Sequence, residues 1–312
     1  MEIRMYESTD RAHWDAFVSV AKNATFLFYR NYMEYHSDRY LDHSLIVLDE
    51  NEHIVALLPA NKMADQLISH GGLTYGGFIM DHTMTASKML EIFEAACKYI
   101  RSKYINRWVY KPVPHIYHTI PAEDDLYALY RQGAHVYRRD VLTIIDYREL
   151  TAYQERRRRS IRKAQKVGIK CRETSDYDQF WPILTGNLQK RYNLNPVHSV
   201  EEIKLLASRF PNEIRLYGAY QGDMMLAGAV VYLSRNVCHI QYNAASEAGR
   251  QFGALDLIMD NLVERYRSSK RYFDFGVSTE NNGQYLNSGL VDYKEGFGGR
   301  TVVHDLYEIN LS

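Results

Sequence analysis

One order of secondary-structure signals runs through this chain twice, and any fold must accommodate both copies. In the first copy, residues 1–7 alternate as a strand. A helix spans 10 to about 20, with Trp14, Phe17 and Val18 on one face, and a second helical stretch lies near 28–40. Apolar runs at 44–48 and 53–59 flank Asp49-Glu50-Asn51-Glu52, which signals a hairpin. A glycine-rich, irregular segment at 70–80 leads to an amphipathic helix over 86–104, carried by Met89, Phe93, Ala96, Ile100 and Tyr104. A strand at 107–111 is stopped by Pro112 and Pro114, and a short helix at 123–131 and a strand at 141–146 complete the copy.

A polar, helical connector at 147–168 follows, and the order restarts. The second copy has a strand at 169–173, a helix within 176–192 whose start Pro182 limits, and a helix at 199–210. That last helix opens on the capping box Ser199-x-x-Glu202. A hairpin of 214–220 and 224–233 turns at Gln221-Gly222-Asp223, and a strand at 237–244 follows. The helix at 254–267 is strongly periodic in Leu255, Ile258, Met259, Leu262, Val263 and Tyr266. A strand at 271–277, a loop with a short helix at 281–299 and a strand at 301–309 close the chain. A period of half the chain excludes a short-repeat solenoid. The expected fold is α/β (mixed α+β): two duplicated modules, 1–150 and 151–312, each a mixed sheet flanked by helices.

Composition narrows the function classes. Hydrophobic residues at 46% and charged residues at 24% exclude a disordered or collagen-like chain. Thirty-eight basic residues balance 38 acidic ones, which argues against a dedicated nucleic-acid coat, so no DNA partner is expected. Cys97, Cys171 and Cys238 lie far apart, with no disulfide framework and no zinc spacing. The expectation is reduced thiols in a cytoplasmic protein. The N-terminus lacks the apolar run of a signal peptide, and no stretch is apolar and long enough to span a membrane. Dinucleotide, P-loop, HExxH and GxSxG motifs are all missing. The histidines are scattered, and although His115 and His118 share a proline-bounded loop, no metal site is expected.

The clearest motif is near the C-terminus. Tyr272-Phe273-Asp274-Phe275-Gly276-Val277-Ser278 is followed by Leu286-Asn287-Ser288-Gly289-Leu290-Val291-Asp292-Tyr293-Lys294-Glu295-Gly296-Phe297-Gly298-Gly299. This resembles the closing segment of the Fem-type peptidyltransferases, which are tandem GNAT-fold acyltransferases. The basic segment 156–168 (RRRRSIRKAQKVG) is similar to the helix that opens the family's second module, and Tyr75-Gly76-Gly77 to a segment of its first. With the matching element order, the resemblance covers nearly the whole chain. It implies transfer of an acyl or aminoacyl group from acyl-CoA or aminoacyl-tRNA to an amine acceptor, such as a cell-wall or polysaccharide precursor. The alternatives are a catalytically degenerate module that binds a nucleotide, tRNA or protein partner, and a sequence-independent RNA binder acting through 156–170.

The resemblance also implies roles for particular residues. In GNAT folds the strand before the long helix splays from its neighbour, so backbone groups near Tyr242, Asn243 and Ala244 are candidates to meet the donor carbonyl. Arg250-Gln251-Phe252-Gly253-Ala254-Leu255 stands where the acetyl-CoA branch writes Q/R-x-x-G-x-G/A. Arg250, Gly253 and Ala254 are therefore donor-phosphate candidates, at a helix start that favours anions. Leu255 departs from the small residue of that pattern. Lys294 matches the motif lysine and would neutralise an oxyanion or phosphate, or else pair on the surface with Glu295 or Asp292. Lys294→Ala is expected to remove activity without unfolding the chain. Asp274, at a strand end, would take the amine proton or cap a loop, and Glu280 is a second carboxylate nearby. Tyr285 would protonate the leaving group, or is one tyrosine among 26. His304 and Asp305 are strand neighbours facing opposite sides, so they form no relay. Arg159, Arg162, Lys163 and Lys166 form one helical stripe, either a phosphate-binding track or a solvated connector.

Overall fold

The computed structural model describes residues 1–312, the side chain of Tyr192 excepted. Two compact units divide the chain. The first comprises Met1–Asp140, Asn281–Gln284 and Val303–Ser312; the second comprises Val141–Glu280 and Tyr285–Val302. Each is a mixed α/β body, as the duplicated element order leads one to expect.

In the first unit the strands Glu2–Met5, Leu45–Leu48, Ile54–Leu58 and Ile79–Met80 form an antiparallel sheet in that order. A second ladder places Arg107–Tyr110 parallel to Gln66–Ile68. The helix Ala86–Ser102 begins where the Thr85 side chain accepts the Lys88 N–H, and it buries Met89, Ile92, Phe93, Ala96 and Ile100. That stripe packs with Val47, Ala56, Phe78 and Trp108, and each Met, Ile, Val or Phe side chain so buried contributes about 1.5–3 kcal/mol.

The second unit is built on the antiparallel run Lys170–Thr174, Ile214–Gln221, Met224–Leu233 and Val237–Ala245. A parallel strand, Tyr272–Val277, follows across the helix Ala254–Tyr266. Parallel neighbours need such a crossover, which is why the long periodic helix lies between them in sequence. The helix lays Ile258, Met259, Leu262 and Tyr266 into the core with Tyr217, Val231 and Phe273.

The units are not linear halves of the chain. Residues 142–146 pair with Tyr272–Val277 in the second unit, and residues 307–310 pair with Arg107–Tyr110 in the first. A division at residue 150 does not anticipate this, because ladder partners are chosen by sheet topology rather than by sequence proximity. Two local expectations also change. The stretch at 28–40 is broken into Phe26–Phe28, Arg30–Met33 and Glu34–His36, because Tyr29 is extended and Phe26, Leu27 and Phe28 are all buried. The helix Tyr177–Tyr192 starts ahead of Pro182, capped by the Asp176 side chain on the Gln179 N–H, with Phe180 and Trp181 anchored in the core.

Candidate active site

Two strands of the second unit run together for three rungs and then part. Val237–Ala245 and Tyr272–Val277 pair at Val237↔Tyr272, Cys238↔Phe273 and His239↔Asp274, where the ladder between them stops. Each strand carries an extra residue just past that rung. Gln241 is inserted between Ile240↔Val231 and Tyr242↔Val230. The other strand steps from Asp274↔Ile144 to Val277↔Leu142, a shift made where Gly276 takes φ +77°, a conformation that favours glycine. Bulges bend strands and re-aim their groups. The outcome is a fork, beyond whose base the two strands no longer pair with each other.

A histidine and a carboxylate close the base of the fork. Asp274 is fully buried; its Oδ2 lies 2.7 Å from His239 Nδ1, and its Oδ1 accepts the Gly276 N–H at 2.7 Å. Burial opposes the charge, but the His239 and Gly276 hydrogen bonds and the nearby Lys294 hold this carboxyl below the usual carboxylate range. It is therefore ionised and can only accept, so Nδ1 of His239 must be the donor. Both carboxylate oxygens are engaged, so Asp274 is not itself open to an amine.

Lys294, on the helix Ser288–Glu295, is buried against the same bulge. Its Nζ donates to Gly276 O at 2.7 Å, Val277 O at 2.8 Å and Ser278 Oγ at 2.8 Å. All three ammonium donors are thus satisfied within the chain, in place of either the surface pairing with Glu295 or Asp292 or an open charge. Burial lowers its pKa to about 8.

Beside the fork, a cavity of about 590 Å³ is lined by Arg157, Arg191 and Arg250. Two helix starts also line it, through Gly253, Leu255 and Asp256 on one and Asn287, Gly289 and Leu290 on the other, together with Asn243 of the forked strand. Helix starts present free N–H groups and a positive dipole end. Asp256 brings one carboxylate, answered by Arg157 Nη1 at 3.0 Å from both of its oxygens. Arg157 is itself stacked on Tyr293 at 4.7 Å. Three guanidinium groups against one carboxylate leave a cationic pocket suited to phosphate.

Of the residues singled out in the sequence, Asn243, Arg250 and Gly253 meet in this pocket. Arg250 is anchored by Asn187 Oδ1 at 2.6 Å and Ala245 O at 2.8 Å. Gly253 has φ +79°, and a Cβ there would lie 2.3 Å from Ser160 Oγ. The basic helix Glu155–Lys166 therefore sits directly on the turn expected to cradle a donor pyrophosphate, and only the pocket side of that turn is open. Ala254 begins the helix and is fully buried. The Tyr242 hydroxyl lies 2.6 Å from His198 Nδ1, and burial pushes its pKa up to about 12. Ala244 is buried beside it. Tyr285 lies on a two-residue strand and is 52% exposed, outside the pocket lining. Arg159, Arg162, Lys163 and Lys166 are exposed, whereas Arg157 and Ser160 form the face of that helix that reaches the pocket. Glu280 accepts from Asn287 Nδ2 at 2.7 Å.

His239 escapes the sequence reading, which considers histidines as metal ligands and only His304, beside Asp305, as a relay partner. Its pairing with Asp274 depends on the register of two strands 35 residues apart, which no local pattern shows. Arg191 and Asn287 escape the sequence reading as well. Among the described residues no three His, Cys, Asp or Glu side chains are placed to hold a metal ion, and no helix is long and apolar enough to cross a membrane.

Residues 152–295 match the family model of the acetyltransferase (GNAT) domain. No curated protein sequence matches the chain. Among solved structures, FemX superposes with a TM-score of 0.69 at 12% identity, over 99% of this chain and 97% of that one. The C-terminal domain described as that of a lysylphosphatidylglycerol synthetase from Agrobacterium fabrum gives 0.62 at 12% identity, over 97% and 92%. A tandem GNAT protein from the clavulanic acid biosynthesis pathway gives 0.52 at 11% identity, over 100% and 98%. Residues 152–295 thus resemble an acetyltransferase (GNAT) domain, and the chain as a whole has the fold seen in FemX and in the tandem GNAT protein.

Proposed function

We propose that the chain is an N-acyltransferase that moves an aminoacyl or acyl group from an activated ester to an amine acceptor. The donor carbonyl enters the fork between Val237–Ala245 and Tyr272–Val277, where backbone N–H groups near Tyr242–Ala244 stabilise the developing oxyanion. The phosphate-bearing part of the donor occupies the pocket of Arg157, Arg191 and Arg250. The observation that carries this reading is the ladder that ends at His239↔Asp274 with a bulge on each strand.

Of the two donors, aminoacyl-tRNA is favoured over acyl-CoA. Ser160 covers one side of the Gly253 turn and Leu255 fills a position where the CoA pattern has a small residue. The exposed stripe Arg159, Arg162, Lys163 and Lys166 supplies the phosphate contacts that a nucleic-acid donor uses. Likeness to a protein named for making lysylphosphatidylglycerol is in keeping with an aminoacyl group. The acceptor is an amine on a cell-wall or polysaccharide precursor, met in the cytoplasm. The test is a transfer assay with charged tRNA and with acyl-CoAs against an amine panel. Labelled aminoacyl product from tRNA is expected, product from acyl-CoA alone overturns the donor choice, and no product from either donor overturns the reading.

A further inference from the structure

We infer that His239 is the general base of the transfer, accepting the amine proton at Nε2, and that Asp274 is the positioning residue that makes Nε2 the basic nitrogen. This rests on the acyl-transfer reading above. It deepens that reading by moving the proton from the carboxylate that the sequence suggested to an imidazole that it did not.

Placement is the first argument. His239 forms the last rung before the strands part, so its ring stands at the base of the opening where a donor carbonyl would meet the amine. Its side chain is 14% exposed while that of Asp274 is wholly buried. The imidazole thus reaches solvent and its partner does not. Gly276 turns past the ring at φ +77°, and a Cβ at that position would sit 3.4 Å from His239 Cε1.

Orientation is the second. Asp274 accepts from Gly276 N–H and from His239 Nδ1–H, which puts the ring proton on Nδ1 and the lone pair on Nε2. Lys294 ties the carbonyls of Gly276 and Val277 from the other side, so the turn that delivers the Gly276 N–H to Asp274 is itself held.

Elimination is the third. Among the groups near the fork, Asp274 has both oxygens taken. The Tyr242 hydroxyl is bound to His198. Glu280 is held by Asn287, and Tyr285 is on an exposed hairpin strand.

The chemistry balances within the two substrates. The amine nitrogen bonds to the donor carbonyl carbon while one N–H proton passes to His239 Nε2. The tetrahedral adduct then collapses, the ester C–O bond (C–S in a thioester) breaks with its electron pair on the leaving atom, and Nε2–H returns the proton there. The products are the amide and the free hydroxyl or thiol, with His239 as it began.

The test uses the full chain, with charged tRNA and acyl-CoA as donors against the amine panel. For His239→Gln and His239→Ala, kcat is expected to fall about 10²–10⁴-fold with KM little changed. Added imidazole is expected to restore part of the rate of His239→Ala, which a purely structural histidine would not permit. Nitrogen-15 NMR of the unaltered chain is expected to find His239 protonated at Nδ1 and bare at Nε2, and Asp274→Asn to mix the two tautomers. Transfer by the unaltered chain with His239→Gln at the same rate, or a proton found on Nε2, overturns the base assignment alone. No transfer by the unaltered chain with any donor overturns the acyl-transfer reading, and the base assignment falls with it.

Discussion

Lys294 Nζ lies 2.7 Å from the carbonyl oxygen of Gly276, and this contact makes the motif lysine a support of the fork. With Val277 O and Ser278 Oγ also bound, removing the ammonium strands two carbonyls in a buried site. Each buried acceptor left without a donor costs about 1–3 kcal/mol. Lys294→Ala should therefore lose about 2–5 kcal/mol of unfolding free energy in a urea titration, together with its activity. The sequence alone suggested loss of activity with the fold intact.

Gly253 tests whether the basic helix and the long helix are locked together. Its φ of +79° and the 2.3 Å approach to Ser160 Oγ leave no room for a methyl group. Gly253→Ala should cost at least about 2 kcal/mol, from the left-handed backbone and the forced separation from Ser160. Gly222→Ala is the control: it has φ +59° with nothing within 4 Å, so only the backbone cost of about 1 kcal/mol is expected. Equal urea midpoints for the two variants would show that the seat on Ser160 contributes nothing.

The three arginines of the pocket divide by what holds them. Arg191 is exposed, so Arg191→Ala should leave stability within about 0.5 kcal/mol while weakening inorganic pyrophosphate binding about tenfold by calorimetry. Arg157 answers a nearly buried Asp256. Arg157→Ala should instead lose about 3–5 kcal/mol of stability, because the nearly buried Asp256 loses its ion-pair partner. Unchanged pyrophosphate affinity in Arg191→Ala would remove that residue from the anion site.

In the first unit, Tyr110 donates its hydroxyl to Asp125 at 2.7 Å in a fully buried pair, and burial raises the Asp125 pKa from 3.8 to about 7. Between those values the folded chain binds a proton that the unfolded chain has released. This contribution to stability is complete below about pH 4 and is lost as pH rises through 7, a span worth about 4 kcal/mol. Asp125→Asn should flatten that slope and be more stable than the unaltered chain at pH 8. Parallel curves of unfolding free energy against pH for the two proteins would contradict the assignment.

What the sequence made legible follows from range. The helix Ala254–Tyr266, the hairpin about Gly222 and the capping box at Ser199 and Glu202 depend on residues a few positions apart, and each forms where its pattern lies. The pairing of residues 307–310 with Arg107–Tyr110 depends on which strand edge is open, which no local pattern encodes. The site divides the same way. Asn243, Arg250 and Gly253 sit in recognisable segments, whereas the meeting of His239 and Asp274 needs a register between strands 35 residues apart, and Arg191 reaches the pocket from a helix with no motif.

The central claim is that the fork beyond His239↔Asp274 holds an activated carbonyl. A crystal structure of the chain with a non-hydrolysable aminoacyl-adenosine analogue tests it most directly. The expected result is the analogue's carbonyl between Val237–Ala245 and Tyr272–Val277, with His239 Nε2 facing the amine side and the rest of the analogue in the arginine pocket. A ladder that continues past Asp274, or an analogue bound away from both strands, would contradict the account.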